Sequence, residues 1–248
     1  MSRRQFFLVG AQRSGTTYLY NLLDAHPEIE MARPVRPEPK FFLDETYRQR
    51  GREEYEATFF DPDSKAQLRG EKSTSYIESE AAAQRIHEFY PQASILFLLR
   101  EPVARAISNY RFSETNGLET LSMWEAFERE AERREQYDAS QVSTSPFAYL
   151  QRGRYVDYLA IYERVFGAAA LHVMLYEDLV AGAETISRLY EFLGVAHDFL
   201  PSGLDDVVNA TPGVPTPLTS EQQASLRTRF EEPNSRLSSR YGIDLSAW

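Results

Sequence analysis

The sequence predicts an α/β fold in a single domain spanning residues 1–248, with a central parallel sheet and flanking helices. Continuous apolar runs, typical of strands covered on both faces, alternate with segments of helical periodicity. A chain of 248 residues suits one domain of this kind. Alternation of strand and helix favours parallel strands joined by right-handed crossovers.

Strands are predicted at residues 5–9, 95–99 and 171–175, each a short apolar run. Helices are predicted at residues 16–25, 103–112, 123–134, 155–166 and 184–193. The charged run at residues 125–135 is interpreted as a solvated helix face with i,i+4 pairs.

Two proline-rich stretches interrupt this alternation. Residues 27–39 carry four prolines and predict an extended loop over the sheet edge. Residues 211–217 separate the last strand–helix unit from a C-terminal helical tail, in which Pro233 predicts a helix break or restart.

The charge balance restricts the partners. A formal net charge of −10 argues against a nucleic-acid partner, because such binding depends on a basic surface that neutralises phosphates. It also argues against a long polyanionic acceptor. A compact anion stays compatible, since a few arginines and backbone amides can bind it within an acidic molecule.

The amino-acid composition argues against a metal site. There is no cysteine, so disulfides, thiolate nucleophiles and cysteine ligands are excluded. The four histidines, none predicted as a catalytic base, do not have the close spacing of a metal-binding helix face. They are His26, His87, His172 and His197.

We expect a cytoplasmic protein without stable membrane insertion. No apolar run approaches the ~20 residues that cross a bilayer. The apolar stretch near the N-terminus is too short for a signal peptide and lacks a small-residue cleavage site.

A glycine loop follows the first predicted strand, at Gly10-Ala11-Gln12-Arg13-Ser14-Gly15-Thr16-Thr17. Its glycines have P-loop spacing, so backbone amides and a helix N-terminus would cradle phosphate oxygens. The P-loop lysine is absent, Thr16 takes its place, and Arg13 supplies a cation instead. The alternative is a glycine turn that caps an ordinary strand–helix unit.

The second predicted strand ends at Arg100, with Ser108 on the following helix. No acidic residue stands at that strand end to hold Mg²⁺. Because parallel strands end at one edge, Arg100 and the glycine loop should face the same crevice, which would suit a ligand with two separated phosphate groups. Taken alone, Arg100 is equally well explained as a salt-bridge partner.

These segments resemble the PAPS-dependent sulfotransferases (PAPS is 3′-phosphoadenosine 5′-phosphosulfate), in particular the heparan sulfate branch and its bacterial small-molecule relatives. The likeness runs in order through nearly the whole chain. Besides the loop and the Arg100 segment, it is carried by Pro37-Glu38-Pro39-Lys40-Phe41-Phe42, Glu71-Lys72-Ser73-Thr74-Ser75-Tyr76, Gly153-Arg154-Tyr155 with Leu159, Leu175-Tyr176-Glu177-Asp178-Leu179 and Phe192-Leu193-Gly194.

The resemblance implies a role for each matching residue. Glu38 would be the general base and Lys72 the cation near the transferred group. Arg100 and Ser108 would hold the 3′-phosphate. The residues that would hold the 5′-phosphosulfate are Arg13, Ser14, Gly15, Thr16 and Thr17.

The implied reaction is in-line, metal-independent transfer of a sulfuryl group to a hydroxyl or amine of a small or lipophilic acceptor, with adenosine 3′,5′-bisphosphate as product. Phe41, Phe42 and Tyr76 are predicted as core rather than substrate wall. Two alternatives stay open: a P-loop small-molecule kinase, and a non-catalytic adenine-nucleotide-binding module.

The chain departs from the family pattern in two places. Residues 209–217 contain no basic residue where relatives often carry a basic loop over the nucleotide, so closure of the cofactor by residues 211–217 is left open. Lys40 stands where a relative can have histidine. The sequence determines neither the acceptor nor the oligomeric state.

Overall fold

The computed structural model describes residues 3–137, 144–204 and 216–248. The chain divides into two compact units, residues 1–99 with 159–210, and residues 100–158 with 211–248. A single domain over residues 1–248 stays a prediction, and each unit is described by itself.

The first unit contains a five-stranded sheet in the order β2-β3-β1-β4-β5, with every pairing parallel. This confirms the predicted α/β class with a central parallel sheet. The three predicted strands correspond to β1, β4 and β5. The strands are β1 (Arg4–Gly10), β2 (Ile29–Met31), β3 (Leu68–Lys72), β4 (Ser94–Leu99) and β5 (Leu171–Leu175).

The described residues also form α-helices, which include all five predicted helical segments. In chain order they are α1 (Thr16–Asp24), α2 (Tyr47–Phe59), α3 (Glu80–Phe89), α4 (Pro102–Thr115), α5 (Met123–Glu128), α6 (Glu130–Arg133), α7 (Tyr155–Phe166), α8 (Tyr176–Ala181), α9 (Ala183–Leu193), α10 (Ser220–Thr228) and α11 (Glu231–Tyr241). None of these helices is long and apolar enough to cross a membrane.

The prediction for residues 27–39 is wrong in part. Ile29–Met31 forms strand β2, which pairs with β3 and is itself the sheet edge rather than a loop over it. Strand β3 has the sequence LRGEK and is buried throughout, although it carries no apolar run. Arg69 of β3 is compensated by Glu30 at 3.0 Å and Glu56 at 3.2 Å.

The sheet of the first unit is covered on both faces. On one face, Phe6 and Leu8 of β1 pack with Leu96 and Leu98 of β4 against apolar residues of α1 and α9. Aromatic residues also form core around Phe42, whose ring lies 5.6 Å from Phe7 and 6.1 Å from Tyr76. Phe41, Phe42 and Tyr76 are fully buried, which confirms their prediction as core.

The second unit is built around α4, whose Val103, Ala106 and Tyr110 pack in a cluster with Phe127 and Phe230. Its C-terminal tail forms α10 and α11. Pro233 lies in the first turn of α11, so the predicted helix restart is confirmed. Of the loop at residues 211–217, residues 211–215 lie outside the described residues.

The helix predicted at residues 123–134 is divided into α5 and α6 at Arg129. Arg129 does pair with Glu125 across one turn at 3.3 Å, as the solvated-face interpretation requires. Glu130 departs from that interpretation: it is buried and accepts hydrogen bonds from the backbone amides of Leu150 and Gln151 at 2.6 and 2.8 Å.

Candidate active site

The glycine loop connects the central strand β1 to helix α1. Gly15 is the N-cap of α1 at φ 86 and ψ 14, a left-handed conformation, and no side chain caps the helix. A Cβ atom at Gly15 would lie 2.6 Å from Cδ2 of Tyr176, so the backbone there approaches an aromatic ring closely. Gly15 has no side chain that could cap the first amides of α1, as at helix N-termini that bind anions.

The other loop residues fit an anionic group. The Oγ atom of Ser14 is buried and has no hydrogen-bond partner among the described residues. The first turn of α1 contains no acidic residue. Thr16 is buried, Thr17 is half-buried, and Arg13 is exposed with φ 67. A phosphate or sulfate oxygen would satisfy the Ser14 hydroxyl and the helix amides together.

Glu38 and Lys72 are in direct contact. Strand β3 ends at Lys72, whose Nζ lies 2.8 Å from Oε1 of Glu38. The two side chains are only 3% and 15% exposed, for Lys72 and Glu38 respectively. The sequence placed these residues 34 positions apart, and the fold brings the predicted base and the predicted cation together.

Thr74 holds the same carboxylate from a second side. Its backbone amide donates to Oε2 of Glu38 at 2.9 Å, and its hydroxyl lies 3.0 Å from the same oxygen. A carboxylate that accepts a charge-assisted bond and two further bonds is fixed in position. Glu38 is thus oriented although it lies in a loop between two prolines.

The glycine loop lies against the segment that follows β3. Nε2 of Gln12 donates to Oγ of Ser75 at 3.3 Å, and the amide of Ser73 donates to the Leu8 carbonyl at 3.2 Å. A Cβ at Gly10 would lie 2.8 Å from Ile77. Hence the glycine loop and the Glu38–Lys72 pair are neighbours at the carboxyl ends of β1 and β3.

Glu71 is a residue that the sequence reasoning missed. It precedes Lys72 on β3, is fully buried, and accepts hydrogen bonds from Tyr55 and Ser73, each at 2.6 Å. Burial raises the pKa of its carboxyl from 4.5 to about 7. The sequence did offer one indication of its importance, because Glu71 begins the segment Glu71-Lys72-Ser73-Thr74-Ser75-Tyr76, which matches a family motif.

Arg100 and Ser108 belong to the second unit. Arg100 directly follows the last residue of β4, and its carbonyl accepts a hydrogen bond from the Tyr155 hydroxyl at 2.7 Å. Glu101 caps α4 by accepting from the amides of Val103 and Ala104. Ser108 is half-buried on α4. The other predicted site residues all lie in the first unit.

Two of the histidines, His26 and His172, make contacts within the fold that account for a structural role. Nε2 of His26 lies 2.9 Å from the Ala196 carbonyl, and its Nδ1 accepts from the amide of Glu28. His172 is half-buried and stacks on Phe192, and burial lowers its pKa to about 4. In the described part of the chain, no group of three or more acidic or histidine side chains is placed to hold a metal ion.

A parallel α/β sheet with a glycine loop at the N-terminus of the first helix, beside a carboxylate–lysine pair, is an arrangement in which α/β proteins commonly bind phosphate groups. The chain belongs to the sulfotransferase family, because the family described as the sulfotransferase domain matches residues 3–211. This confirms the resemblance carried by the motifs.

Among curated proteins, the chain is 30% identical over 219 residues to human heparan sulfate glucosamine 3-O-sulfotransferase 6, covering 86% of this chain and 59% of that protein. Mouse heparan sulfate glucosamine 3-O-sulfotransferase 3B1 is 30% identical over 192 residues, covering 77% of this chain and 46% of the relative. The chain thus spans about half to three fifths of the length of these relatives.

Among solved structures, a sulfotransferase from Alicyclobacillus acidocaldarius superposes with a TM-score of 0.82 at 30% identity, covering 100% of this chain and 99% of the other. The sulfotransferase domain of the Synechococcus olefin synthase has a TM-score of 0.55 at 17% identity, covering 98% of this chain and 96% of that chain, and shows the shared fold alone.

Proposed function

We propose that this chain transfers a sulfuryl group from PAPS to a hydroxyl or amine of a small or lipophilic acceptor, in line and without a metal ion. The observation that carries the proposal is the contact of Glu38 with Lys72 at 2.8 Å, next to an anion-binding loop in a sulfotransferase-family chain. A proton acceptor and a cation side by side are the groups that sulfuryl transfer to a hydroxyl requires.

PAPS, when bound, supplies the activated sulfuryl group and a phosphate leaving group. Arg13, the Ser14 hydroxyl and the first amides of α1 would hold its 5′ end, with Thr16 and Thr17 contributing hydroxyls at the same helix terminus. Arg100 and Ser108 would hold the 3′-phosphate, a role that the family resemblance alone implies.

Glu38 accepts the proton of the acceptor. Thr74 keeps its carboxylate in one orientation, and the Lys72 ammonium group holds it from the other side. Lys72 also places a positive charge where negative charge develops during transfer. Both roles depend on position, and neither requires a covalent intermediate.

The acceptor that we propose differs from the one named in the curated relatives, which are heparan sulfate enzymes. The net charge of −10 disfavours a sulfated glycan, because a long polyanion would be repelled by an acidic surface. An uncharged alcohol or phenol avoids that repulsion.

Calorimetry with adenosine 3′,5′-bisphosphate and with adenosine 5′-phosphate tests nucleotide recognition. The bisphosphate should bind more tightly, and Arg100→Ala should weaken only the bisphosphate, by about 1.5–3 kcal/mol for a lost charge-assisted hydrogen bond. Arg227→Ala on α10, an exposed arginine, is the control and should change neither affinity. Equal affinities of the wild type for both nucleotides would remove the 3′-phosphate assignment.

A further inference from the structure

Glu71 is a fully buried carboxylate at the end of β3, paired in register with Phe7 of the central strand. Within the described part of the chain, its hydrogen-bond donors are hydroxyl groups. Tyr55 and Ser73 each donate at 2.6 Å, and the neighbouring Tyr76 hydroxyl also favours the ionised carboxyl, lowering its pKa. A buried acidic group surrounded by hydroxyls is costly to keep ionised, so packing alone does not explain a glutamate here.

Two of these hydroxyls also hold the loop that carries Glu38. The amide of Lys40 donates to Oγ of Ser73 at 2.9 Å, and the amide of Phe42 donates to the Tyr76 hydroxyl at 3.1 Å. Lys40 has φ 51, a left-handed conformation that a residue with a side chain keeps only when its surroundings hold it. The two amides lie two and four residues after Glu38.

The hydroxyl chemistry links these contacts. A hydroxyl has one proton to donate, and when Glu71 accepts it the lone pairs are left for an amide. Ser73 gives its proton to Oε1 of Glu71 and is therefore oriented as the acceptor for the Lys40 amide. Tyr76, beside the same carboxylate, is the acceptor for the Phe42 amide. Such connected bonds strengthen one another in a dry environment.

We propose that Glu71 is a positioning residue that orients the Ser73 and Tyr76 hydroxyls and so fixes residues 38–42, keeping the Glu38 carboxylate on Lys72 and Thr74. Its catalytic importance rests on the proposed role of Glu38, whereas the positioning itself is a property of the free protein.

The positioning should depend on pH near neutrality. The pKa of Glu71 is raised to about 7 by burial, with a smaller rise from the charge of Glu38, and against the lowering effect of the bonds from Ser73, Tyr55 and Tyr76. When the proton lies on Oε1, Glu71 donates there, so the Ser73 hydroxyl can no longer give its proton to that oxygen and loses its orientation as the acceptor of the Lys40 amide. Four titratable groups face Glu71: Tyr55 of α2, Tyr76 of the 3-10 helix at Thr74–Glu78, Tyr162 of α7 and Glu38 of the loop. Two more lie next to these groups: Tyr90 packs behind Tyr55, and Lys72 follows Glu71 in β3.

Amide hydrogen exchange measured by NMR on the full chain tests the proposal without donor or acceptor. In the wild type, protection at Lys40 and Phe42, corrected for intrinsic rates, should rise with a midpoint near pH 7. Glu71→Gln, whose amide donates where the carboxylate only accepted, should remove this pH dependence and lower protection at both amides by about fivefold, the loss of one hydrogen bond of ordinary strength.

Two further variants separate the two links. Ser73→Ala should deprotect Lys40 alone, and Tyr76→Phe should deprotect Phe42 alone. Tyr190→Phe is the matched control, because it removes a buried hydroxyl bond to Leu22 of 2.9 Å elsewhere in the same unit and should leave both amides protected.

A flat pH profile in the wild type, unchanged protection in Glu71→Gln, or equal deprotection by Tyr190→Phe would overturn the proposal. Deprotection by Glu71→Gln, combined with full turnover of Glu38→Gln, would support the positioning role and reject Glu38 as the base.

Discussion

The Glu38 carboxylate is bonded to a buried ammonium group and to two groups of Thr74, and these bonds define its chemistry. The half-buried carboxylate has its counter-charge in the Lys72 ammonium group, which is buried. Removing either partner leaves the other charge largely buried, so variants at this pair should affect stability as well as rate.

Glu38→Gln should lower turnover by about 10²–10⁴-fold, the usual contribution of a positioned general base. The amide oxygen can accept from Lys72 or from the Thr74 amide but not from both, and the group cannot take up a proton. Affinity for adenosine 3′,5′-bisphosphate should stay unchanged, because Glu38 is assigned to the acceptor and not to the nucleotide. Steady-state turnover and calorimetry measure the two effects. Glu53→Gln, an exposed position on α2, is the control and should change neither. Near-full turnover of Glu38→Gln under conditions where chemistry limits the rate would show that another group is the base.

At the scale of elements, prediction from sequence succeeded where burial produces apolar runs and failed where buried strands are polar. Strands β1, β4 and β5 are apolar runs and were predicted, whereas β3 has the buried sequence LRGEK and was missed. Its charges are compensated only in three dimensions, Arg69 by Glu30 and Lys72 by Glu38. No local sequence pattern indicates such partners, so β3, the strand that carries Lys72, could not be predicted from the sequence.

The sequence motifs predicted which residues form the candidate site but not how these residues contact one another. Glu38 and Lys72 were found as motif residues, but their contact, the support from Thr74 and the role of Glu71 depend on how β3 pairs with β1. The absent cap on α1 likewise became visible only from the geometry of Gly15.

The buried Glu71 of strand β3 should also make the stability of the protein depend on pH. Burial raises the pKa of Glu71 from 4.5 to about 7, so between these values the folded state binds more protons than the unfolded state. The free energy of unfolding should therefore fall as the pH rises through this window. The expected loss is roughly 3 kcal/mol, because one proton bound only by the folded state contributes about 1.4 kcal/mol for each step of one in pH.

Urea unfolding of the wild type and Glu71→Gln at pH 5 and pH 8 measures this contribution. Glu71→Gln should lose less stability than the wild type between the two values. His172, whose pKa burial lowers to about 4, acts in the opposite direction between about 4 and 6.5, but it is present in both proteins and cancels in the difference. Parallel pH dependence in the two proteins would contradict the assignment.

The tight turn into α1 should make the protein less stable when Gly15 is replaced by a residue with a side chain. Gly15→Ala should lose about 1 kcal/mol for the left-handed backbone and about 1–3 kcal/mol for overlap with Tyr176. Gly242→Ala is the matched control, since Gly242 has φ 65 and ψ 31 and a Cβ there meets nothing within 4 Å. Thermal unfolding of both variants separates the two effects. Equal losses would show that the ring of Tyr176 yields and that the turn is not tightly packed.

At the scale of the whole molecule, the chain is acidic, with a net charge of −10, yet it has an uncapped helix N-terminus and Arg13 at the glycine loop. The proposed binding of a compact anionic donor rests on these few groups, and the proposed exclusion of a long polyanion rests on the net charge. Family membership places the chain among the sulfotransferases, and the donor and acceptor are the parts of the proposal that a transfer assay tests.

Transfer from labelled PAPS to a panel of alcohols, phenols, amines and heparan sulfate, in excess EDTA, tests the central claim most directly. Mass spectrometry should find a sulfated product of a small or lipophilic acceptor, with one adenosine 3′,5′-bisphosphate released for each sulfate transferred, at a rate that EDTA does not change. Absence of sulfated product from every acceptor, together with phosphate transfer from ATP that Mg²⁺ restores, would contradict the account and favour a kinase.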